Sequence, residues 1–262
     1  MMLDPIVHPL HADDGGAGGP AVVFLHSLAG NTTQWAAQLA CLRPRRRAVA
    51  LDWRGHGRSG TPPGGGFAIP GLAADVMAAA DRLRLGRFVL VAHNSGAIVA
   101  LACAAACPDR ILGLLLVDPV GDLRQVPSEM LDPFLAALAS DGYGTAIEGW
   151  WRSILAGADP FVAERVMADL RATPPETVVG VVRALRQYDP VTALKRYPGP
   201  VLSVVTRFND APFSLRNLSP GLRHTRVEGT SHWLQMDRPD AFNAVLGGFL
   251  ADVEDGPRSE VA

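Results

Sequence analysis

Short apolar runs alternate with longer amphipathic stretches along this chain. Residues 21–25, 48–51, 88–92, 111–117 and 200–206 are short, largely apolar runs, the last broken by Ser203 and closed by Thr206. Continuous rather than alternating hydrophobicity predicts strands buried on both faces. A weaker strand is expected near 225–227, and 6–11 reads as a short edge strand. Residues 13–20, rich in Asp and Gly, read as a turn. Helical patterns lie between the runs. One is expected over 33–42, with Asn31 and Thr32 as N-caps. A second opens at Pro70 and continues to 85, with Leu72, Val76, Ala79 and Leu83 on one face. A third, made of small residues, covers 95–107 and stops at Pro108. Residues 62–66 form a loop. From 123 to 194 the strand signal disappears. Helices are expected around 129–140, 144–155, 160–172 and 175–187, separated by Gly, Asp and Pro. A last helix follows at 239–253, with a frayed tail from Glu254. The pattern predicts an α/β fold: a doubly wound, mostly parallel sheet with helices on both faces and a helical cap insertion. The expected divisions are a core over 1–122 and 195–262 and a cap over 123–194.

Composition narrows the function. The chain has 262 residues, 48% of them hydrophobic, enough for one large α/β unit. Its net charge of −2 offers no handle for nucleic acid or a membrane surface. Arg45, Arg46 and Arg47 read as a solvated lead-in to a strand. Lys195 is the single lysine, and this arginine bias with abundant Ala and Gly fits a GC-rich bacterial source. Cys41, Cys103 and Cys107 make neither a disulfide framework nor a metal set. Residues 1–10 lack the basic start and apolar run of a signal peptide. No uninterrupted apolar stretch reaches the roughly 18 residues of a membrane span. The expectation is a cytoplasmic monomer or homodimer acting on a small molecule. No metal, organic cofactor, nucleic-acid partner or membrane partner is expected.

The residues that carry chemistry gather at the ends of the expected strands, where open parallel sheets bind ligands. His26-Ser27-Leu28-Ala29-Gly30 follows the first run. Asp52-Trp53-Arg54-Gly55-His56-Gly57-Arg58-Ser59 follows the second. Ala92-His93-Asn94-Ser95-Gly96 joins a strand to the small-residue helix, and Gly229-Thr230-Ser231-His232 precedes the last helix. In this order and spacing the four segments resemble the α/β-hydrolase superfamily over nearly the whole chain, and its esterase and enol-lactonase-like branch in particular. The resemblance implies hydrolysis of an ester, lactone or related acyl bond in a small apolar substrate. It places Asn94 where a G-x-S-x-G turn presents its nucleophile. An amide oxygen accepts hydrogen bonds but has little nucleophilicity, and an amide has no proton to lose as a serine hydroxyl does.

The other roles follow from the same resemblance. The first segment looks like an H-G-x-x-G oxyanion loop with Ser27 in place of a glycine. Backbone N–H groups of Leu28 and Ser95 are expected to point at one spot and stabilise an oxyanion. His232 is the expected general base. Its acid partner is expected in the turn 206–210, with Asp210 the choice. Asn209 would stand there if the alignment shifts by one. Asp118 is the alternative, because some branches place the acid after the 111–117 strand. Phe134, Tyr143, Trp150 and Trp151 are expected to line the substrate pocket; the plainer role for each is to pack the cap on the core. His26, His56 and His93 are expected to support the turns.

Asn94 leaves two ancestries open. A serine nucleophile belongs to esterases, lactonases and carbon–carbon hydrolases, an aspartate to dehalogenases and epoxide hydrolases. The oxyanion loop lacks the proline of the aspartate branch, and Ser95 stands where dehalogenases carry Trp or Arg. Both features favour serine. Three readings of Asn94 then stand: a nucleophile removed by engineering, a natural binding protein without catalysis, or an enzyme with no covalent step. In the last, His232 acts as base and Asn94 as a hydrogen-bonding group. Ser95 is a poor substitute nucleophile, since in such a turn its side chain points away from the histidine.

Overall fold

A computed structural model describes residues 7–61 and 66–256. Seven strands form one sheet: β1 (His11–Gly15), β2 (Ala21–Leu25), β3 (Ala48–Asp52), β4 (Phe88–His93), β5 (Ile111–Val117), β6 (Val201–Val205) and β7 (His224–Arg226). Their order across the sheet is β1-β3-β2-β4-β5-β6-β7. Only β1 runs antiparallel to its neighbour; every other pair is parallel. This is the doubly wound, mostly parallel sheet that the hydrophobic rhythm predicts.

Period-two alternation divides each central strand between two cores. Val23, Leu25, Leu90, Ala92, Leu114 and Leu116 face one, and Val22, Phe24, Val89, Val91, Leu115 and Val117 face the other. Helices α1 (Ala36–Leu42), α2 (Ile69–Arg82) and α3 (Ser95–Ala106) follow the first strands. Between β5 and β6 come α4 (Ser128–Leu138), α5 (Tyr143–Ile154), α6 (Pro160–Ala172), α7 (Pro175–Gln187) and α8 (Pro190–Arg196), with no strand among them. Short α9 (Leu215–Leu218) and α10 (Leu234–Asp237) flank β7, and α11 (Pro239–Asp255) closes the described chain. Residues of α3 from Ser95 to Ala104 are all buried. Their small side chains let this helix lie against the sheet with α2 and α8 around it.

The edge strand differs from the sequence expectation. β1 starts at His11, the last residue of the expected strand, and runs on into the segment read as a turn, while residues 7–10 form no strand. An edge strand needs only backbone pairing, and charged side chains are common there because they deter further pairing. Asp13 and Asp14 of β1 accordingly form ion pairs with Arg43 at 2.7 Å and Arg47 at 2.6 Å. Residues 1–6, most of the expected 62–66 loop and the tail beyond 256 lie outside the described residues. The helix expected to 85 ends at Arg82, since Arg84 turns to a φ of 55°.

One buried ion pair ties α2 to the turn after β3. Arg54 Nε meets Asp75 Oδ2 at 2.5 Å, and Nη2 meets Oδ1 at 2.7 Å. Asp75 also accepts from His8 N at 2.6 Å. Breaking a buried pair by removing one partner leaves a desolvated charge and costs about 3–5 kcal/mol. Asp75→Ala is therefore expected to lower unfolding stability by that amount. The check is a shift of the urea midpoint at neutral pH; an unchanged midpoint would mean the pair adds nothing.

Candidate active site

β4 and β5 end side by side, with His93 opposite Val117 in register. Asn94 follows β4 with φ 50° and ψ −110°, and α3 begins at Ser95. A non-glycine residue held in such a region costs about 1–3 kcal/mol and persists only where its surroundings impose it. Here Asn94 N donates to Val117 O at 2.9 Å, and Ala97 N donates to Asn94 O at 3.1 Å. Gly96 faces the His26 carbonyl oxygen so closely that no Cβ fits between them. The turn therefore presents Asn94 at the end of the sheet. Its side chain makes no capping bond to α3 and lines a cavity.

His232 lines the same cavity. Its Nδ1 lies 2.5 Å from Asp118 Oδ2, and both side chains are buried. Asp118 follows β5 with φ 40°, its N donating to Val204 O at 2.7 Å. The loop after β6 completes its shell. Thr206 N and Asn209 Nδ2 donate to Oδ1 at 2.8 and 2.7 Å, and Thr206 Oγ1 donates to Oδ2 at 2.6 Å. With His232 these donors occupy the carboxylate's lone pairs and fix its orientation. The histidine is held as firmly. His93 Nε2 donates to His232 O at 3.0 Å, and His232 N donates to Ile154 O of α5 at 3.1 Å. The His93 and Trp233 rings pack on the imidazole at 4.6 and 5.2 Å.

Asp210 is not the partner of His232. It is exposed, it pairs with Arg226, and it lies 3.1 Å from Arg216. The Arg226 hydrogen bond holds its carboxyl below the ordinary value. The turn after β6 directs residue 209 inward and residue 210 outward. At the inward position this chain carries an amide, which donates to Asp118 instead of meeting the imidazole. The sequence signal was present in the missing glycine of 206–210 and in Asp118-Pro119 at the end of β5. Thr206, Asn209 and His93 as supports of the pair carried no local signal.

The oxyanion loop also differs from expectation. Leu28 lines the cavity, but its N–H donates to Ser95 Oγ at 2.6 Å instead of pointing with the Ser95 N–H at one open spot. The Ser95 side chain is buried, its hydroxyl held against the Leu28 N–H. Ser27 is buried as well, its Oγ donating to Leu28 O at 3.1 Å.

The cavity measures about 600 Å³. Leu28, Val120, Leu131, Phe134, Trp150 and Phe208 supply much of its wall, and among the described residues no Lys or Arg lines it. Phe134 and Trp150, expected to line a substrate pocket, both line this cavity. Tyr143 and Trp151 do not line the cavity. Trp151 is buried between Trp150, at 4.9 Å, and Trp233, at 6.4 Å, so it packs the inserted helices onto the His232 loop. Tyr143 is half-buried, and burial raises its hydroxyl pKa. Among the described residues no group of three His, Cys, Asp or Glu side chains is placed to hold a metal, and no helix is long and apolar enough to cross a membrane.

The turn histidines have an acid-stability consequence. Burial pushes His26 and His56 down to about 3 and His93 well below its ordinary value. An unfolded imidazole titrates at about 6.5, so below that pH the unfolded chain binds protons the folded chain refuses. Their contribution is complete above about pH 6.5 and is lost progressively as pH falls toward 3. The urea midpoint is expected to drop between pH 7 and about 4.5, before most carboxylates titrate. The drop should be shallower in His56→Phe, which keeps a ring stacked on Trp53. Equal slopes in the two proteins would refute the assignment.

The comparisons with known proteins agree with this architecture. A model of the alpha/beta hydrolase fold matches residues 20–190. The chain is 26% identical over 247 residues to 3-oxoadipate enol-lactonase 2 of Acinetobacter baylyi, covering 89% of each protein. It is 28% identical over 270 residues to a putative carbamate hydrolase, RutD, of Caulobacter sp., covering 95% of this chain and 97% of the relative. Among solved structures, Est816, described as an N-acyl homoserine lactone degrading enzyme, superposes with a TM-score of 0.78 at 26% identity, covering 92% of this chain and 96% of that one.

Proposed function

This chain belongs to the alpha/beta hydrolase fold family, and on that premise we propose that it hydrolyses an ester, lactone or related acyl bond in a small, largely apolar molecule without forming an acyl-enzyme. The observation that carries the reading is the buried Asp118–His232 pair facing an apolar cavity across from an amide at position 94. With Nδ1 turned to Asp118, Nε2 is the ring nitrogen left to accept a proton. In this route His232 takes a proton from a water molecule, and the resulting hydroxide adds to the acyl carbon. The anionic oxygen meets Asn94 Nδ2 and the Ser95 N–H, which opens α3 and has no intrahelical acceptor. His232 then returns the proton to the leaving oxygen or nitrogen, giving the acid and the freed alcohol or amine. Asp118 stabilises the transient imidazolium and fixes the ring tautomer.

The substrate class rests on the cavity and on the relatives. Wall chemistry without a cation favours neutral ligands. The named relatives are an enol-lactonase, a putative carbamate hydrolase and a protein described as an N-acyl homoserine lactone degrading enzyme, which supports an acyl-type substrate. Leu28-Ala29 in place of the proline loop, and Ser95 after Asn94, support descent from the serine branch over the aspartate branch. The helices between β5 and β6 serve as the cap, with Phe134 and Trp150 against the ligand.

Steady-state assay of short p-nitrophenyl esters and simple lactones, with intact-protein mass spectrometry, tests the proposal. Slow linear turnover without a burst, abolished in His232→Ala, is expected, and a fluorophosphonate should leave the mass unchanged. An adduct mapped to Ser95 would overturn the non-covalent route. Saturable binding of such compounds with no turnover would make the chain a binding protein.

A further inference from the structure

Ser95 and Leu28 form a contact that the hydrolytic route does not use. Leu28 sits in the loop after β2, and Ser95 opens α3. The 2.6 Å bond from Leu28 N–H to Ser95 Oγ therefore joins the oxyanion loop to the elbow. It lies in a dry place, with Leu28 3% and Ser95 1% exposed. Ser27 Oγ binds the carbonyl of the same residue at 3.1 Å, and Gly30 N closes a turn onto Ser27 O at 3.0 Å. Both polar groups of Leu28 are thus engaged by serine hydroxyls. A ligand oxygen seeking the Leu28 N–H must displace that buried hydroxyl.

We propose that Ser95 is a positioning residue that closes half of the oxyanion site, taking the Leu28 N–H out of the chemistry and leaving the acyl oxygen to Ser95 N–H and Asn94 Nδ2. The inference rests on the acyl-hydrolase reading and deepens it. Positions 94 and 95 act together: one residue supplies an amide where a nucleophile would stand, and the next withholds the backbone donor that a tetrahedral anion needs. A serine placed at 94 alone then makes a slow hydrolase. Removing the neighbouring hydroxyl is what makes it fast, because one oxyanion donor is worth about 10²–10³ in kcat.

The test uses the full chain with p-nitrophenyl butyrate and compares Asn94→Ser alone, with Ser95→Ala, and with Ser95→Thr. The Ser95→Ala double variant is expected to exceed Asn94→Ser by about 10²- to 10³-fold in kcat with KM little changed. The Ser95→Thr double variant, which keeps a hydroxyl, should stay with Asn94→Ser. A second readout needs no activity. In amide proton–nitrogen spectra of Ser95→Ala alone, the Leu28 resonance should move upfield and exchange faster than in the unaltered chain. Equal kcat in Asn94→Ser and its Ser95→Ala double, ester turnover in neither, or an unmoved Leu28 resonance would overturn the inference. Failure of the hydrolase reading looks different: the unaltered chain would turn over no acyl compound, while the double variant still outpaces Asn94→Ser.

Discussion

Asp118→Asn is expected to lower acyl turnover by about 10⁴-fold, the loss seen when the acid of a Ser-His-Asp triad becomes an amide. Asp210→Asn is expected to leave it unchanged, because exposed ion pairs such as Asp210–Arg226 contribute little. The contrast follows from what each carboxylate touches. Asp118 Oδ2 accepts from His232 Nδ1, so Nε2 is left as the acceptor for a water proton. An asparagine that turned its amide N–H to the ring would make Nδ1 the acceptor and place the proton on Nε2, the wrong tautomer for a base. It would also oppose one donor of its shell, since Thr206 N, Thr206 Oγ1 and Asn209 Nδ2 all point at this carboxylate. Leaving one of them unsatisfied costs about 1–3 kcal/mol of stability. Turnover should therefore be measured well below the variant's melting temperature. Retained activity in Asp118→Asn, or a large loss in Asp210→Asn, would remove Asp118 from the mechanism.

Asn94→Ser is the second large effect. A nucleophile in a triad is worth about 10⁶ in kcat, and a missing oxyanion donor about 10² of that. With Ser95 unchanged, a net gain of about 10⁴ over the unaltered chain is expected. The mechanism should change as well as the rate. The strained backbone at 94 and the His232–Asp118 pair, which line the same cavity, would set the new hydroxyl against a base. A fluorophosphonate should then add stoichiometrically at position 94, and ester hydrolysis should show a burst. Asn94→Asp supplies the contrast, since a carboxylate there forms an alkyl ester from a haloalkane or epoxide. Halide release or diol formation by Asn94→Asp, with nothing gained in Asn94→Ser, would assign the chain to the aspartate branch.

Much of the site was legible because its parts are contiguous. The turn from Asp52 to Ser59 announces itself since each residue is needed locally. Asp52 accepts from Thr32 N at 2.6 Å and Arg58 N at 2.9 Å, and Gly57 at φ 52° lies against that carboxylate. The helices between β5 and β6 were legible because Pro160 and Pro175 mark first turns and each stretch repeats its apolar face. What misled was equally local. The acidic, glycine-rich segment around β1 has turn composition, while its strand character comes from pairing with β3. Tyr143 and Trp151 look like pocket aromatics by type, but residue type does not say which face of α5 meets the cavity.

The amino-acid sequence by itself determined the sheet, the helical insertion, the tight strand-to-helix turn that carries Asn94, and the histidine before the last helix. Strand burial, helix capping and tight turns are written in neighbouring residues. Only the tertiary structure decided which carboxylate meets His232 and where the Leu28 N–H goes. Asp118 and His232 stand 114 positions apart, and Leu28 and Ser95 stand 67 apart. The physical reason is that a hydrogen bond requires a few ångströms and a direction. Those are set by how the ends of β2, β4, β5 and β6 converge, which no local pattern of residues records.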